Sequence, residues 1–302
     1  MSGKHKNVLR ILVCVVITFS VYICMCIVVT PKDISNSGGP LYYRGMGFLS
    51  EPDNTIDVMV YGNSDVYSGF VPARLFDEYG YSAYASGRAN QTAGEIVKLL
   101  EKTLITQNPE VVILETDCFF TKKKRVNLDT GNILLAPFIY HSRWKEISLR
   151  DFTDIPDRNN FNDINRGFLP SELTFRTDSF GDYMKEGSGK SEKITDKNRE
   201  AVETFVKICN ERNVKVVFLE LPSPSSWNYG KHTEVKNLAE KLKVEFVDLN
   251  IPSESYSVNC DSDFRDNGNH MNTSGACRAT DYIGKYLADR HGDILKDRRI
   301  TE

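Results

Sequence analysis

From Ile11 to Val29 the chain reads ILVCVVITFSVYICMCIVV without a charge, close to the roughly 20 apolar residues a helix needs to cross a bilayer core. This predicts a membrane-spanning helix over 11–30. Beyond it the apolar positions come in short bursts: Ile56–Tyr61 (IDVMVY), Glu110–Glu115 (EVVILE), Lys215–Glu220 (KVVFLE) and Val244–Leu249 (VEFVDL). Runs of this length read as strands buried on both faces. Between them, Ile96, Leu99, Leu100 and Leu104 in Ala93–Gln107, and Val202, Phe205, Val206 and Cys209 in Asp196–Arg212, fall at helical spacing, and Lys231–Leu242 and Ser274–His291 complete the set. Strands alternating with helices predict an α/β domain of three α/β/α layers around a parallel sheet.

Turn formers and irregular stretches mark the boundaries. Residues 31–55, with Ser-Asn-Ser-Gly-Gly-Pro at 35–40, have turn chemistry and little periodicity, and read as a stalk between the helix and a domain of 56–302. Thr121 to Thr195 breaks the alternation, being rich in Asn, Asp, Arg, Gly and aromatics. A plain loop of that length is uncommon inside a compact domain, so about 121–195 reads as an insertion near the site. There is no internal repeat or low-complexity tract.

Charge decides the compartment and removes one class of partner. With 38 Lys+Arg against 41 Asp+Glu the net charge is -3, which offers no broad basic field for a polyphosphate backbone; nucleic acid is not expected as a partner. Lys4, Lys6 and Arg10 precede the apolar run, so the positive-inside bias places residues 1–10 in the cytoplasm and the domain outside the cell membrane. The alternative is a cleaved signal peptide, against which stand an apolar core longer than the usual 7 to 15 residues and the lack of a small-x-small site. Both routes export the domain. No cysteine forms a CxxC pair; Cys260 and Cys277 are the pair that export would allow to bond. The triplets Asn90-Gln91-Thr92 and Asn272-Thr273-Ser274 fit the glycosylation pattern and are read as chance matches.

In parallel α/β sheets ligands bind at the carboxyl ends of the strands. The first strand ends in Tyr61-Gly62-Asn63-Ser64-Asp65. Gly62 permits a sharp turn, and Ser64 then opens a helix, as a nucleophile or as an ordinary N-cap. A serine nucleophile needs a base. Of five histidines, His5 lies on the cytoplasmic side, and His232 and His291 read as solvated surface residues on polar helices. His270 is favoured over His141, because it lies in a loop of turn formers directly ahead of the last helix. His141, Arg143 and Trp144 combine an imidazole, a planar cation and an indole, which suits a polysaccharide; a plain packed Trp with surface neighbours is the competing reading. No HExxH or paired-His spacing is present, so neither a metal nor another cofactor is expected.

Gly62-Asn63-Ser64-Asp65 near the domain's start, and Asp266-Asn267-Gly268-Asn269-His270-Met271-Asn272 with Gly275-Ala276 near its end, resemble the SGNH/GDSL hydrolase superfamily. Ala85 to Thr92 (ASGRANQT) looks like the family's oxyanion-glycine block, and Leu221 to Trp227 (LPSPSSW) resembles exported members. The likeness is greatest to the exported, membrane-anchored branch containing DltD and the AlgJ-type alginate O-acetylation proteins. The resemblance implies an SGNH-hydrolase-like fold, with Ser64 as nucleophile, His270 as general base and Asp266 orienting the imidazole. It implies an oxyanion site at the backbone N–H groups of Ser64 and Gly87. Two departures follow. Asp266 stands four residues before His270 where the family has three, which leaves Asp263, or no carboxylate, as alternatives. The family's Gly-x-Asn-Asp is replaced by Leu114-Glu115-Thr116-Asp117-Cys118, so an amide of Asn90 or Gln91 would have to replace its donor.

These features predict a tethered serine esterase or O-acyltransferase acting on acyl esters of a cell-envelope polysaccharide or teichoic acid. The alternative from another class is a non-catalytic accessory protein that binds a glycan or a membrane-bound O-acyltransferase, a partner implied by the DltD likeness. A lipase or thioesterase for free small substrates has no evident need of a tether.

Overall fold

In a computed structural model of the chain, residues 3–30, 32, 44–122, 133–140, 144–145, 147–154, 163–176, 181–187 and 192–300 are described. The apolar bursts form five strands: β1 (Val58–Gly62), β2 (Ala83–Gly87), β3 (Val111–Glu115), β4 (Lys215–Glu220) and β5 (Glu245–Asp248). All pairings are parallel, in the order β2-β1-β3-β4-β5. Successive strand residues face opposite sides, and both sides are covered, which is why the bursts are continuously apolar. Met59, Tyr61, Tyr84, Val112, Leu114 and Phe218 meet one layer, built by helices Ala93–Thr106, Asp196–Glu211 and Tyr229–Leu242. Val58, Val60, Ala85, Ile113 and Leu219 meet the other, built by Ser64–Gly69, Pro72–Tyr79 and Thr273–His291. The expected three-layer α/β/α architecture with a parallel sheet is therefore present, and one apolar helix lies at the N-terminus.

In chain order these helices and three others are α1 (Gly3–Val29), α2 (Ser64–Gly69), α3 (Pro72–Tyr79), α4 (Ala93–Thr106), α5 (Ala136–Ile139), α6 (Arg150–Thr153), α7 (Asp196–Glu211), α8 (Tyr229–Leu242) and α9 (Thr273–His291). The chain divides into two compact units: Met1–Gly39 with Lys124–Asn160, and Pro40–Lys123 with Phe161–Glu302. The sheet is wholly in the second. In the first, the last turns of α1 pack against the segment carrying α5, and the Tyr22 hydroxyl donates to the Leu134 carbonyl at 2.5 Å.

Two boundaries differ from the sequence reading. Residues 44–54, assigned to a stalk, are folded onto the sheet unit: Phe48 is fully buried edge-on to Tyr84, the Tyr84 hydroxyl donates to the Arg44 carbonyl at 2.7 Å, and Ser86 Oγ donates to the Gly45 carbonyl at 2.5 Å. The apolar pair Phe48 and Leu49 is the physical cause, since both pack into the core on this side of the sheet. The insertion is also not one body. Its 163–176 stretch belongs to the sheet unit, where the Arg166 carbonyl accepts from Ala85 N–H at 2.9 Å along the outer edge of β2. There the chain turns at Gly167 (φ 93°), where a side chain would stand 1.9 Å from the Ala85 carbonyl oxygen.

Two histidines expected on the surface are engaged instead. His232 Nδ1 lies 2.7 Å from Asp248 Oδ2, and His291 is buried beside Tyr286, where burial lowers its pKa. Cys260 and Cys277 are not joined in a disulfide. Asn272 is buried as the N-cap of α9, accepting from Gly275 N–H at 2.9 Å and donating to the Ser262 carbonyl at 2.7 Å, so its amide has no room for a glycan.

Candidate active site

Strand β1 lies between β2 and β3, so the chain leaves it to one side and returns on the other. This places a crevice at the carboxyl end of β1, where Ser64 begins α2. Every residue from Ile56 to Pro72 is buried except Ser64. Two glycines allow the turn: a Cβ on Gly62 would fall 2.5 Å from Glu115 Cβ, and one on Gly87, its register partner in β2, would fall 2.7 Å from the Asn63 carbonyl oxygen and 2.9 Å from Tyr67 N. Asn63 caps the helix by accepting from Asp65 N–H at 3.0 Å.

The loop ahead of α9 brings up the imidazole. His270 Nδ1 is 2.6 Å from Asp266 Oδ2, while Asp266 Oδ1 accepts from the backbone N–H groups of His270 (2.8 Å) and Asn269 (2.9 Å). Burial pushes the Asp266 carboxyl up, but these bonds to the anion outweigh it and hold the pKa below the ordinary value. Asp263 is occupied elsewhere: fully buried, it takes both its oxygens to Arg278 at 2.7 and 2.8 Å and accepts from Asn259 N–H. Of the two carboxylates the sequence left open, Asp266 is the one at the imidazole.

Tyr67, on α2, links the two arms: its ring stacks on His270 with centroids 6.3 Å apart and planes 15° apart. Asp266 also acts electrostatically on Asp65, the residue after Ser64. A single stretch clasps both arms: Leu169 N–H donates to the Tyr67 carbonyl (2.7 Å), Thr273 N–H to the Ser171 carbonyl (2.9 Å), and Phe175 N–H to the Phe264 carbonyl (2.8 Å).

Beneath the Ser64 turn lies a buried polar group that the sequence reading missed. Glu115, at the end of β3, accepts from Asn63 N–H (3.1 Å) and Asp117 N–H (2.6 Å). Asp117 accepts from the Asn63 amide (2.8 Å) and from Lys231 Nζ (2.9 Å), and Lys231 also donates to the Ser226 carbonyl and lies over the Phe120 and Trp227 rings. Glu220 joins through Thr116 and Ser223. Burial, then the Asp117 charge, pushes the Glu115 carboxyl up to about 8. Burial, with Glu115 and Asp117 next, carries Asp65 well above the carboxylate range. The signal was legible in principle: β3 and β4 each end an apolar run in Glu, a residue type almost never buried without a partner.

Gly87 thus stands at the turn. Asn90 is exposed with φ 56°, whereas Gln91 is buried and its Oε1 has no protein partner. Trp144 is in the other unit, exposed, with Lys145 Nζ 5.4 Å from its ring centroid. His141 and Arg143 lie outside the described residues. Among the described residues no cluster of three metal-ligating side chains occurs.

No protein-family profile matches the chain, and no curated protein does. Among solved structures it is similar to a lipase/acylhydrolase from Enterococcus faecalis (12% identity over 80% of this chain and 98% of that one, TM-score 0.42). It is also similar to a GDSL-like lipase from Bacteroides thetaiotaomicron VPI-5482 (12%, 77% and 87%, 0.41) and to a Clostridium thermocellum family 3 carbohydrate esterase (12%, 80% and 100%, 0.42). Identities and TM-scores this low leave the chemistry to be argued from this chain's own residues.

Proposed function

We propose that the protein is an exported serine acyl-transfer enzyme of the SGNH type, held to the outer face of the cell membrane by α1 and acting on acyl esters of a cell-envelope polysaccharide or teichoic acid. The observation that carries the reading is an accessible Ser64, in an otherwise buried turn, opening the short helix whose Tyr67 ring stacks on His270 of the His270–Asp266 pair.

In this reading His270 Nε2 takes the Ser64 proton as Oγ attacks the ester carbonyl carbon. Asp266 at Nδ1 fixes the tautomer that leaves Nε2 free to accept, and stabilises the imidazolium. Backbone N–H groups of Ser64 and Gly87 receive the oxyanion, with the Gln91 or Asn90 amide as a further donor. The imidazolium then protonates the departing alcohol, leaving acyl-Ser64. Water or a sugar hydroxyl, deprotonated by His270, attacks the acyl carbon and frees Ser64. Anchoring would confine the site to a shell above the bilayer and raise its effective concentration against wall polymers. Arg143 and His141 are the proposed contacts to the glycan.

One observation favours the non-catalytic reading, a glycan-binding accessory or a companion of a membrane-bound O-acyltransferase. Where the family carries an asparagine donor, β3 ends in carboxylates, and Asp117 is tied to Asn63 and Lys231. Treating the full chain in detergent with a fluorophosphonate probe and p-nitrophenyl acetate separates the readings. The enzyme reading expects labelling and turnover that vanish in Ser64→Ala and His270→Ala; a folded wild type that neither labels nor turns over supports the accessory reading.

A further inference from the structure

The unit of Met1–Gly39 with Lys124–Asn160 carries large exposed apolar side chains: Phe138 is 62% exposed, Trp144 67%, Leu149 87% and Phe152 67%, with Ile133 and Leu134 also exposed. Singly, such residues mean little; gathered in one short stretch they mark a surface made for an apolar medium. Their position on α1 says which medium. Leu134 accepts from the Tyr22 hydroxyl, and its carbonyl faces Cys26 Sγ at 3.9 Å. Tyr22 stands seven residues before the helix end at Val29, about 10 Å at 1.5 Å per residue. The stretch is therefore bound alongside the apolar part of the helix, whose own outward residues from Val8 to Val21 are exposed in the same way.

The charges in this stretch are arranged for an interface rather than for open water. Arg150 Nε is 2.6 Å from Asp154 Oδ2, one turn on; Asp151 is buried and accepts from Ser148 N–H at 2.8 Å; and Lys145 lies over the Trp144 ring with a flexible stem able to reach outward. Apolar residues with a tryptophan and self-paired charges are the composition of a segment lying in the headgroup and acyl boundary.

We propose that the described residues between 133 and 154 form a membrane-embedded platform, seated in the outer leaflet against α1 with Phe138, Trp144, Leu149 and Phe152 inserted among the acyl chains. The proposal rests on reading α1 as a retained anchor, and assigns to lipid the Trp144 that the sequence pattern suited to a polysaccharide. The full chain is reconstituted into vesicles of phosphatidylcholine and phosphatidylglycerol. Trp144 emission is isolated as the difference between wild type and Trp144→Phe, since the other tryptophan, Trp227, is buried in the sheet unit. Lipids brominated on their acyl chains should quench this difference signal by about half, aqueous iodide should leave it nearly unchanged, and added salt should alter neither. Quenching by iodide and not by brominated lipid overturns the platform while leaving the anchor standing. Shielding from both quenchers means that a protein surface covers the face, and overturns it too. A chain that washes off the vesicles in alkaline carbonate overturns the anchor, and the platform with it.

Discussion

The two arms of the candidate site are held in place by different means. The Ser64 arm is embedded: glycines at 62 and 87 admit no side chain, and a hydrogen-bonded group of buried carboxylates and one lysine supports the turn from below. The His270 arm is a loop in which one half-exposed aspartate, Asp266, arranges the imidazole and two backbone N–H groups by local bonds alone. The first arm is part of the core, so disturbing it costs folding; the second is a local device, so disturbing it costs chemistry at constant fold. The 163–176 stretch, bonded to both, is what relates them.

The largest effect expected from this contrast comes from the two aspartates that the sequence could not separate. Asp266→Asn should lower turnover by roughly 10³- to 10⁴-fold, because the amide favours the wrong imidazole tautomer and cannot stabilise the imidazolium, with little change in thermal midpoint. Asp263→Asn should do the reverse: about 1.5 to 3 kcal/mol of stability lost as the buried side chain gives up its charge-assisted bonds from Arg278 and Asn259 N–H, with turnover per folded molecule nearly intact. Steady-state kinetics beside calorimetry reads both, and matching losses in the two variants would erase the distinction between the arms.

Changes below Ser64 come next. Lys231→Met removes the cation at Asp117 while leaving the buried carboxylates; breaking such a pair costs about 3 kcal/mol, read as a lower urea midpoint. Gly62→Ala puts a methyl against Glu115 and Val66 and should cost about 1 to 3 kcal/mol, as overpacking does. If either variant kept wild-type stability and lost only activity, the Ser64 arm would be a local device like its counterpart.

How far the sequence reached follows the same division. The strands and long helices were readable because a doubly covered parallel sheet demands apolar runs, and helices of three turns or more show their period. The Ser64 turn was readable because strand, glycine and helix start lie within a few adjacent residues. His232 and His291 were misread because their partners, Asp248 and Glu245, come from β5, and pairing across elements leaves no local pattern. Glu115, Asp117 and Lys231 were passed over for that reason: Lys231 lies 114 residues from Asp117 in the chain, and only the sheet's order brings the end of β3 and the start of α8 under β1. Phe48 was assigned to the stalk because the few apolar residues of that turn-rich stretch show no helical or strand period.

The smallest effect isolates the buried acid. Glu115, with its folded pKa raised to about 8 against an ordinary value near 4.3 in the unfolded chain, binds a proton in the native state that the unfolded chain releases between those limits. Stability must then fall as pH rises from about 4.3 to about 8 and level off above, by at most about 1.4 kcal/mol per pH unit from this one group. Asp65 and Glu220, raised in the same direction by burial, steepen the fall. Asp266 works oppositely: its depressed pKa supplies stability above the ordinary aspartate value near 3.9 that is lost as pH drops through it. Because Glu115→Gln removes one proton-binding group from the Ser64 arm and none from the His270 arm, its melting temperature should gain on wild type steadily from pH 5 to 8, while any acid-side loss stays common to both proteins. Parallel melting curves across that range would mean that Glu115 is ionised in the folded protein, with Lys231 compensating both it and Asp117, and the support under Ser64 would then be an ion-pair network rather than a neutral acid beside a charged pair.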